Sequence, residues 1–481
     1  MDRKQELLRR LPGVDSFLLA IEEKGLAADM PRGLVVRCVR DVLERLRHEI
    51  LGADDTNNGL LPVSKDSILE MVRNAMERAM KFNLKHVVNA TGVVIHTNLG
   101  RSLLPEKAVA HLMRVSTRYS NLEFDLAGGV RGSRYTAVED ILLELTGAEA
   151  AMVVNNNAGA VFLALDTLAR GSEVIVSRGQ LVEIGGSFRI PDVMGASGAD
   201  LVEVGTTNRT HPADYERAIT ERTSLLLKVH TSNYSVVGFT CQVATEDLVT
   251  LANRFDIPVM EDLGSGSLVD FSRYGLTKEP TIEEAVKAGV DVLTFSGDKM
   301  LGGPQAGIIL GKRVFIERIR KNPMNRALRI DKMTLAALEA TLRIYRDMQD
   351  AISSIPTLRM LTLRKQAITR RGKRLKKGLD KWNEDRLKVF LLDGSSRVGG
   401  GAMPLQDLPT TLVGIEIEKV SANALEEFMR GYDPPVIGRI ENDRFLIDLR
   451  TVQKGEERII ENCLRSALQD LQPGREEMVV D

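Results

Sequence analysis

Cysteine is almost missing from this chain, with Cys38, Cys241 and Cys463 the only three in 481 residues. They form no CxxC pair and no zinc-ligand spacing, which excludes a disulfide framework and makes a reducing cytoplasm the simplest setting. Aromatic residues are scarce at 4%, which argues against an exposed sheet that stacks single-stranded bases. An excess of one charge is also lacking. The formal net charge is -1, so no global field marks a nucleic-acid binder, and only a local patch could serve. No run approaches the roughly 20 apolar residues of a membrane helix. Met1-Asp2-Arg3-Lys4-Gln5-Glu6 leads into no apolar segment of signal-peptide form. HExxH, GxxxxGK[ST] and a strand-linked GxGxxG are absent, so no metal is expected and nucleotide-binding readings lack their motifs. What remains is a globular intracellular chain, long enough for two or three domains.

The patterns that are present divide the chain. Apolar residues recur at helical spacing through Phe17, Leu18 and Ile21 and through Val35, Val39, Val42, Leu43 and Leu46, predicting helices over residues 1 to about 50. The polar segment Gly52-Ala53-Asp54-Asp55-Thr56-Asn57-Asn58-Gly59 reads as a break, followed by a helix from about 67 to 81. Between 150 and 311, apolar strands at 150–154, 173–177, 200–204, 224–230, 257–261 and 291–296 alternate with helices. The clearest of these helices are 158–169, 246–255 and 282–288. This alternation predicts an α/β fold with a mainly parallel sheet covered on both faces. A last strand at 306–310 comes too soon after its predecessor for a parallel crossover and is expected to be antiparallel. Long helices occupy the chain after 330, then strands at 411–417 and 445–449, which read as a smaller α+β domain. The expected boundaries are 1–65 for a helical N-terminal domain, 66–88 for a linker helix, 89–344 for the large domain and 345–481 for the C-terminal one. The basic segment from Arg364-Lys365 to Lys376-Lys377 reads most simply as a solvated helix face, with RNA contact the alternative.

The chemistry concentrates at strand ends. Ser296-Gly297-Asp298-Lys299 ends one apolar strand on a lysine, and Glu261-Asp262-Leu263-Gly264 ends another on carboxylates. In an α/β sheet both ends face one crevice. A lysine for a Schiff base and a carboxylate for a pyridinium nitrogen are what pyridoxal phosphate requires of a protein. Val154-Asn155-Asn156-Asn157-Ala158 adds a strand, a turn and a helix start, whose backbone N–H groups and dipole can hold a phosphate; an ordinary capped turn looks the same. Ser296 could add a hydroxyl to that phosphate.

The motifs His86-Val87-Val88-Asn89-Ala90-Thr91-Gly92, His96-Thr97-Asn98-Leu99-Gly100-Arg101, Asn155-Asn156-Asn157-Ala158 and Val182-Glu183-Ile184-Gly185-Gly186 carry a resemblance, continued by Val204-Gly205-Thr206-Thr207-Asn208-Arg209, Lys228-Val229-His230-Thr231-Ser232-Asn233-Tyr234, Asp262-Leu263-Gly264-Ser265, Ser296-Gly297-Asp298-Lys299 and Arg326-Ala327-Leu328-Arg329. Nearly the whole chain resembles the bacterial selenocysteine synthase family, the L-seryl-tRNA(Sec) selenium transferases, pyridoxal-phosphate enzymes of the aspartate-aminotransferase fold type (fold type I). The resemblance implies conversion of seryl-tRNA(Sec) to selenocysteinyl-tRNA(Sec) through loss of the β-hydroxyl and addition of selenium from selenophosphate. Lys299 and Asp262 would be catalytic. Asn156, Asn157, Ala158, Gln180, Asp262, Ser296 and Lys299 would bind the cofactor. Arg101, Arg326 and Arg329 would bind selenophosphate, since a guanidinium fork suits such an anion; if their segment is helical, Arg326 and Arg329 share one face. The helical N-terminal domain would select the tRNA body, with Arg32, Arg37, Arg40, Arg45 and Arg47 as candidate contacts. A cytoplasmic homo-oligomer, a ring of dimers, is the family's assembly.

One departure shows: Ser177-Arg178-Gly179-Gln180 carries an amide where the family has Glu. Two other readings compete. A related lyase acting on a small amino acid or amino sugar acid would share Lys299 and Asp262 but would not need the helical N-terminal domain. A tRNA-binding protein with a decayed catalytic fold would not retain lysine, carboxylate and phosphate loop together.

Overall fold

The computed structural model describes residues 3–27, 29–52, 64–184 and 188–471. Most of the polar break expected at 52–59, and Gly185 and Gly186 of the Val182–Gly186 motif, lie outside them. The chain divides into two compact units, Met1–His86 and Val87–Asp481.

The first unit is helical, with helices Arg3–Arg10, Val14–Glu23, Arg32–Gly52 and Lys65–Met80. Phe17, Ile21, Val39, Leu43 and Leu46 meet Ile68, Leu69, Val72 and Met76 in one core. The segment read as a linker helix, 66–88, thus supplies an apolar stripe to this unit. Ser64 starts its helix by accepting a hydrogen bond from the Ser67 N–H at 3.1 Å.

The second unit is built on a seven-stranded sheet. Its strands, in chain order, are β1 (Ala150–Val154), β2 (Glu173–Ser177), β3 (Asp200–Val204), β4 (Thr223–Val229), β5 (Val259–Gly264), β6 (Val292–Ser296) and β7 (Gly307–Gly311). They lie in the order β1-β7-β6-β5-β4-β2-β3. As the short connection predicts, β7 is antiparallel to both neighbours, while the remaining pairs are parallel. Successive side chains go to opposite faces. Ala151, Val153, Leu226, Leu293 and Phe295 enter one core; Met152, Val154, Leu225, Leu227 and Val292 enter the other. Two covered faces explain why these strands read as unbroken apolar runs.

A second sheet runs Arg439–Glu441, Arg444–Asp448, Asp407–Ile417, Leu387–Gly399 and Val93–Ile95. Residues 93–95, assigned above to the large domain, therefore pair with a C-terminal strand, and Val88–Asn89 pairs with Val436–Ile437. The long strand Leu387–Gly399 is not anticipated by the sequence, because Asp393-Gly394-Ser395-Ser396-Arg397 breaks any apolar alternation. Its polar half is held by the ladder to Asp407–Ile417, which runs from Leu387↔Ile417 to Arg397↔Asp407.

Candidate active site

Register brings the chemistry together. β4, β5 and β6 are parallel, and Asp262 stands beside Val229 on one side and Thr294 on the other. Because β1 and β6 are each antiparallel to β7, the carboxyl end of β1 opens on the same edge. Asp262 is 2% exposed. Its Oδ1 accepts from Asn157 Nδ2 at 2.8 Å, Thr294 Oγ1 at 3.0 Å and the Gly264 N–H at 3.2 Å. Burial pushes this carboxyl up from its ordinary value, and those three donors with the Lys299 charge only partly oppose it. The chain then bends sharply through Gly264 and Gly266, at φ +59 and +67. A Cβ on Gly266 would lie 2.8 Å from the Ser296 carbonyl oxygen, so that position must be glycine for β5 and β6 to approach.

Lys299 is 9% exposed on the turn after β6. Burial lowers its amine, more than Asp262 and Asp298 raise it, and Arg101 adds to the lowering. Its backbone is pinned from several directions. Its carbonyl accepts from Ser102 Oγ at 2.8 Å and from the Gly302 N–H at 3.0 Å, and the Met300 N–H reaches the Ser265 carbonyl at 3.1 Å. Two other lysines near this sheet are committed elsewhere. Lys228 lies 3.4 Å from Glu261, on the face opposite Asp262, and Lys312 is 2.7 Å from Asp291.

The turn after β1 lies against the end of β6. Ser296 pairs with Gly307 in the ladder, and a Cβ on Gly307 would sit 2.1 Å from the Asn156 carbonyl oxygen. Asn156, Asn157, Ala158 and Ser296 are thereby gathered at the start of helix Asn157–Leu168. Asn156 is its N-cap, with Oδ1 accepting from the Gly159 N–H at 2.8 Å, so the N–H groups before it are the donors that face outward. Asn157 uses Nδ2 on Asp262 and leaves its buried Oδ1 unpartnered. Gln180, 5% exposed, accepts at Oε1 from the Val229 N–H at 3.0 Å. That task needs only an acceptor, which carboxylate and amide supply alike.

The three arginines are distributed differently from one another. Arg101 Nη1 donates to Asp298 Oδ2 at 2.6 Å, beside Lys299. Arg326 and Arg329 instead line a cavity of about 300 Å³ with Glu123, Arg131, Arg134 and Tyr135. They do not share a helix face. Pro323–Arg326 is one 3-10 turn, and Arg329 bridges the extended end of β1 at Val154. That bridge sets the cavity against the Asn155–Asn157 turn. Glu123 Oε1 accepts from Arg134 Nε at 3.1 Å and from Arg329 Nη2 at 2.6 Å. The Arg134 hydrogen bond first, then that of Arg329, hold the Glu123 carboxyl down to about 2 against its burial.

Sequence reasoning missed Thr294, His230, Glu279, Glu123 and Arg134. Thr294 had a signal, as the polar residue inside the run Val292-Leu293-Thr294-Phe295. His230 comes just after β4, donates its N–H to the Asp262 carbonyl at 2.9 Å, and has Nε2 3.4 Å from Glu279 Oε2. The ring nitrogen thus lies beside the carboxylate without hydrogen-bond alignment, since Nε2 has no hydrogen-bond partner among the described residues. Burial opposes ionisation of Glu279, yet His230, Ser265 and the Met403 N–H hold its carboxyl below the ordinary value.

The family model for L-seryl-tRNA selenium transferase matches residues 87–453, and that for the selenocysteine synthase N terminal matches residues 8–47. The L-seryl-tRNA(Sec) selenium transferase of Desulfotalea psychrophila is 53% identical over 453 residues, covering 94% of this chain and 96% of the relative. That of Geotalea daltonii is 54% identical over 467 residues, covering 97% and 100%. Among solved structures, D-glucosaminate-6-phosphate ammonia-lyase matches with a TM-score of 0.52 at 19% identity, covering 80% of this chain and 96% of that one. This last likeness concerns the fold alone, which is fold type I of the pyridoxal-phosphate enzymes.

Proposed function

The chain belongs to the L-seryl-tRNA selenium transferase family, and from that premise we propose that it converts L-seryl-tRNA(Sec) to L-selenocysteinyl-tRNA(Sec) with selenophosphate as selenium donor. In this reaction the serine Cβ–O bond breaks, the hydroxyl leaves as water, and a Cβ–Se bond forms as the donor's P–Se bond is hydrolysed. The single observation that carries the reading is the pair Lys299 and Asp262, both buried and both set at the carboxyl ends of adjacent strands.

Pyridoxal 5'-phosphate fits the residues present. Asp262 is buried, and Asn157, which donates to its Oδ1, keeps a buried Oδ1 of its own unpartnered among the described residues. Asp262 would hold the ring nitrogen, Lys299 Nζ the aldehyde carbon, and the N–H groups at Asn156, Asn157 and Ala158 with the Ser296 hydroxyl the phosphate. Gln180 would close the site from the end of β4. When bound, the cofactor supplies an electron sink for charge developing at the serine Cα. Lys299 Nζ takes and returns the α-proton. Burial lowers this amine from its ordinary value and so favours the neutral form that both roles require. Asp262, costly to ionise when buried, binds a cationic N–H more strongly than an exposed carboxylate would.

Arg101, Arg326 and Arg329 are the groups for the anionic donor, with Arg134 sharing the cavity of the last two. The exposed Arg32, Arg37, Arg40, Arg45 and Arg47 are the candidate tRNA contacts of the first unit. Assembly of copies belongs to the same reading and is supported by the hairpin Phe124–Asp125/Val130–Arg131, which exposes Phe124, Leu126 and Val130 next to Glu123. A cytoplasmic setting is supported by three free cysteines, and among the described residues no helix is long and apolar enough to cross a membrane.

The test is incubation of the cofactor-loaded protein with seryl-tRNA(Sec) and selenophosphate, then identification of the esterified amino acid. Selenocysteine is the expected product. Unchanged serine, with turnover of a free amino acid or amino sugar acid instead, would replace this reading with the lyase.

A further inference from the structure

The helix Lys365–Asp380 buries Ile368, Gly372, Leu375 and Leu379 against the strands Leu387–Gly399 and Asp407–Ile417. One of its basic residues serves the interior: Arg371 donates to Glu457 and to the carbonyls of Leu449 and Val452. Lys365 and Lys376 pair with Asp393 and Asp380 at 2.8 and 3.0 Å. Four others, Arg370, Lys373, Arg374 and Lys377, are exposed on the outer face, and Lys381 continues their line past the helix end. None of these five has a carboxylate partner among the described residues.

Many of this protein's other surface helices carry acid–base pairs three or four residues apart, such as Arg10–Glu6, Arg73–Glu77, Arg217–Asp214, Lys287–Glu283, Arg343–Glu339 and Arg430–Glu426. The outer face of Lys365–Asp380 does the reverse. Residues 370 and 373, 370 and 374, 373 and 377, 374 and 377, and 377 and 381 are all like-charged neighbours at that spacing, which destabilises a helix. The helix dipole rewards cations in the last turn but gives nothing to Arg370 or Lys373. Solvation alone would be served equally well by the mixed pattern of the other helices. In a chain of net charge -1, this face is a local cationic ridge kept at a cost in helix stability.

We infer that the outer face of helix Lys365–Asp380 is an RNA-binding surface of the second unit, gripping the phosphate backbone of the tRNA through Arg370, Lys373, Arg374 and Lys377. A polyanion removes the mutual repulsion of these cations and releases counterions as it binds. The inference rests on the seryl-tRNA reading above and adds an RNA surface outside the helical first unit.

The experiment measures tRNA(Sec) affinity against salt for the full-length protein and for R370Q/K373Q/R374Q/K377Q. The variant is expected to bind at least about tenfold more weakly near 0.15 M salt, with the slope of log affinity against log salt reduced by roughly 3. K373Q/K377Q should give about half that change in slope. Because like-charge repulsion is removed, the melting temperature should hold or rise, and pyridoxal absorbance should be unaltered. If the unaltered protein binds tRNA(Sec) and the fourfold variant binds equally, with the same slope, the RNA surface is disproved while the proposed function stands. A changed sedimentation coefficient with unchanged tRNA binding would reassign the face to contact between copies. Loss of binding to phosphatidylserine vesicles, with tRNA binding unchanged, would reassign it to an anionic membrane. No salt-dependent tRNA(Sec) binding by the unaltered protein would overturn the seryl-tRNA reading and this one together.

Discussion

The edge of the central sheet and the outer face of helix Lys365–Asp380 both gather charge, under opposite conditions. At the sheet edge Lys299, Asp262 and Glu279 are all under 10% exposed, and desolvation is the largest influence on each. On the helix, Arg370, Lys373, Arg374 and Lys377 stand in water, where salt screens them and no single one weighs much. Buried charge is local and specific: each group has named partners, and changing one atom changes the chemistry. Exposed charge is collective and graded, and acts through number and spacing.

Four variants would break or sharpen that contrast. The largest effect belongs to Lys299→Ala, which should abolish borohydride-trappable attachment of the cofactor and lower turnover by roughly two to four decades, the range for a positioned proton-transfer group. Peptide mapping that found the label on Lys228 or Lys312 would end the assignment. Asp262→Asn comes next. It should retain the fold and lose at least about tenfold in turnover, since an amide cannot neutralise a ring cation in the buried site; near-normal turnover would mean that Asp262 serves the fold only.

Replacing Arg32, Arg37, Arg40 and Arg47 together with Gln tests whether the first unit behaves like the exposed helix. The salt dependence of tRNA(Sec) binding should flatten by roughly 0.7 to 0.9 for each phosphate no longer neutralised, with turnover at saturating tRNA preserved. A salt slope equal to that of the unaltered protein would leave these arginines as a solvated face. Glu123 lies between the two regimes, being partly buried but reachable by water. Its folded value, depressed from 4.5 to about 2, gives stability that is present above about 4.5 and lost as pH falls toward about 2. Glu123→Gln should remove that component, worth up to about 1 kcal/mol after screening, from denaturant unfolding measured across this window. Identical acid profiles for the two proteins would show that the arginine pairing adds nothing to stability.

Much of the central sheet was legible in the sequence. Strands buried on both faces must be apolar throughout, so β1 to β7 stand out as short runs, and a connection of ten residues, 297–306, is too short for a parallel crossover and makes β7 antiparallel. Lys299 and Asp262 were legible because each interrupts or ends such a run. Gln180 was legible only as a departure; its acceptance of the Val229 N–H is set by the tertiary fold. The strand Leu387–Gly399 was hidden because half of it is polar and is held by its neighbour's ladder rather than by its own pattern.

By itself, then, the sequence determined the features that near-neighbour chemistry dictates: helical and strand periodicity, the reversal at β7, the strand-end lysine and carboxylate, and the family to which its motifs lead. Tertiary structure alone decided which distant side chains share a site. It set His230 against Glu279, joined Arg134 and Arg329 through Glu123, sent Arg101 to Asp298, and turned Arg371 inward while its neighbours face water. The physical reason is that periodicity is written along the chain, over a few residues. Desolvation and ion pairing depend on separations of a few ångströms between residues that can lie hundreds of positions apart, and no local pattern encodes those separations.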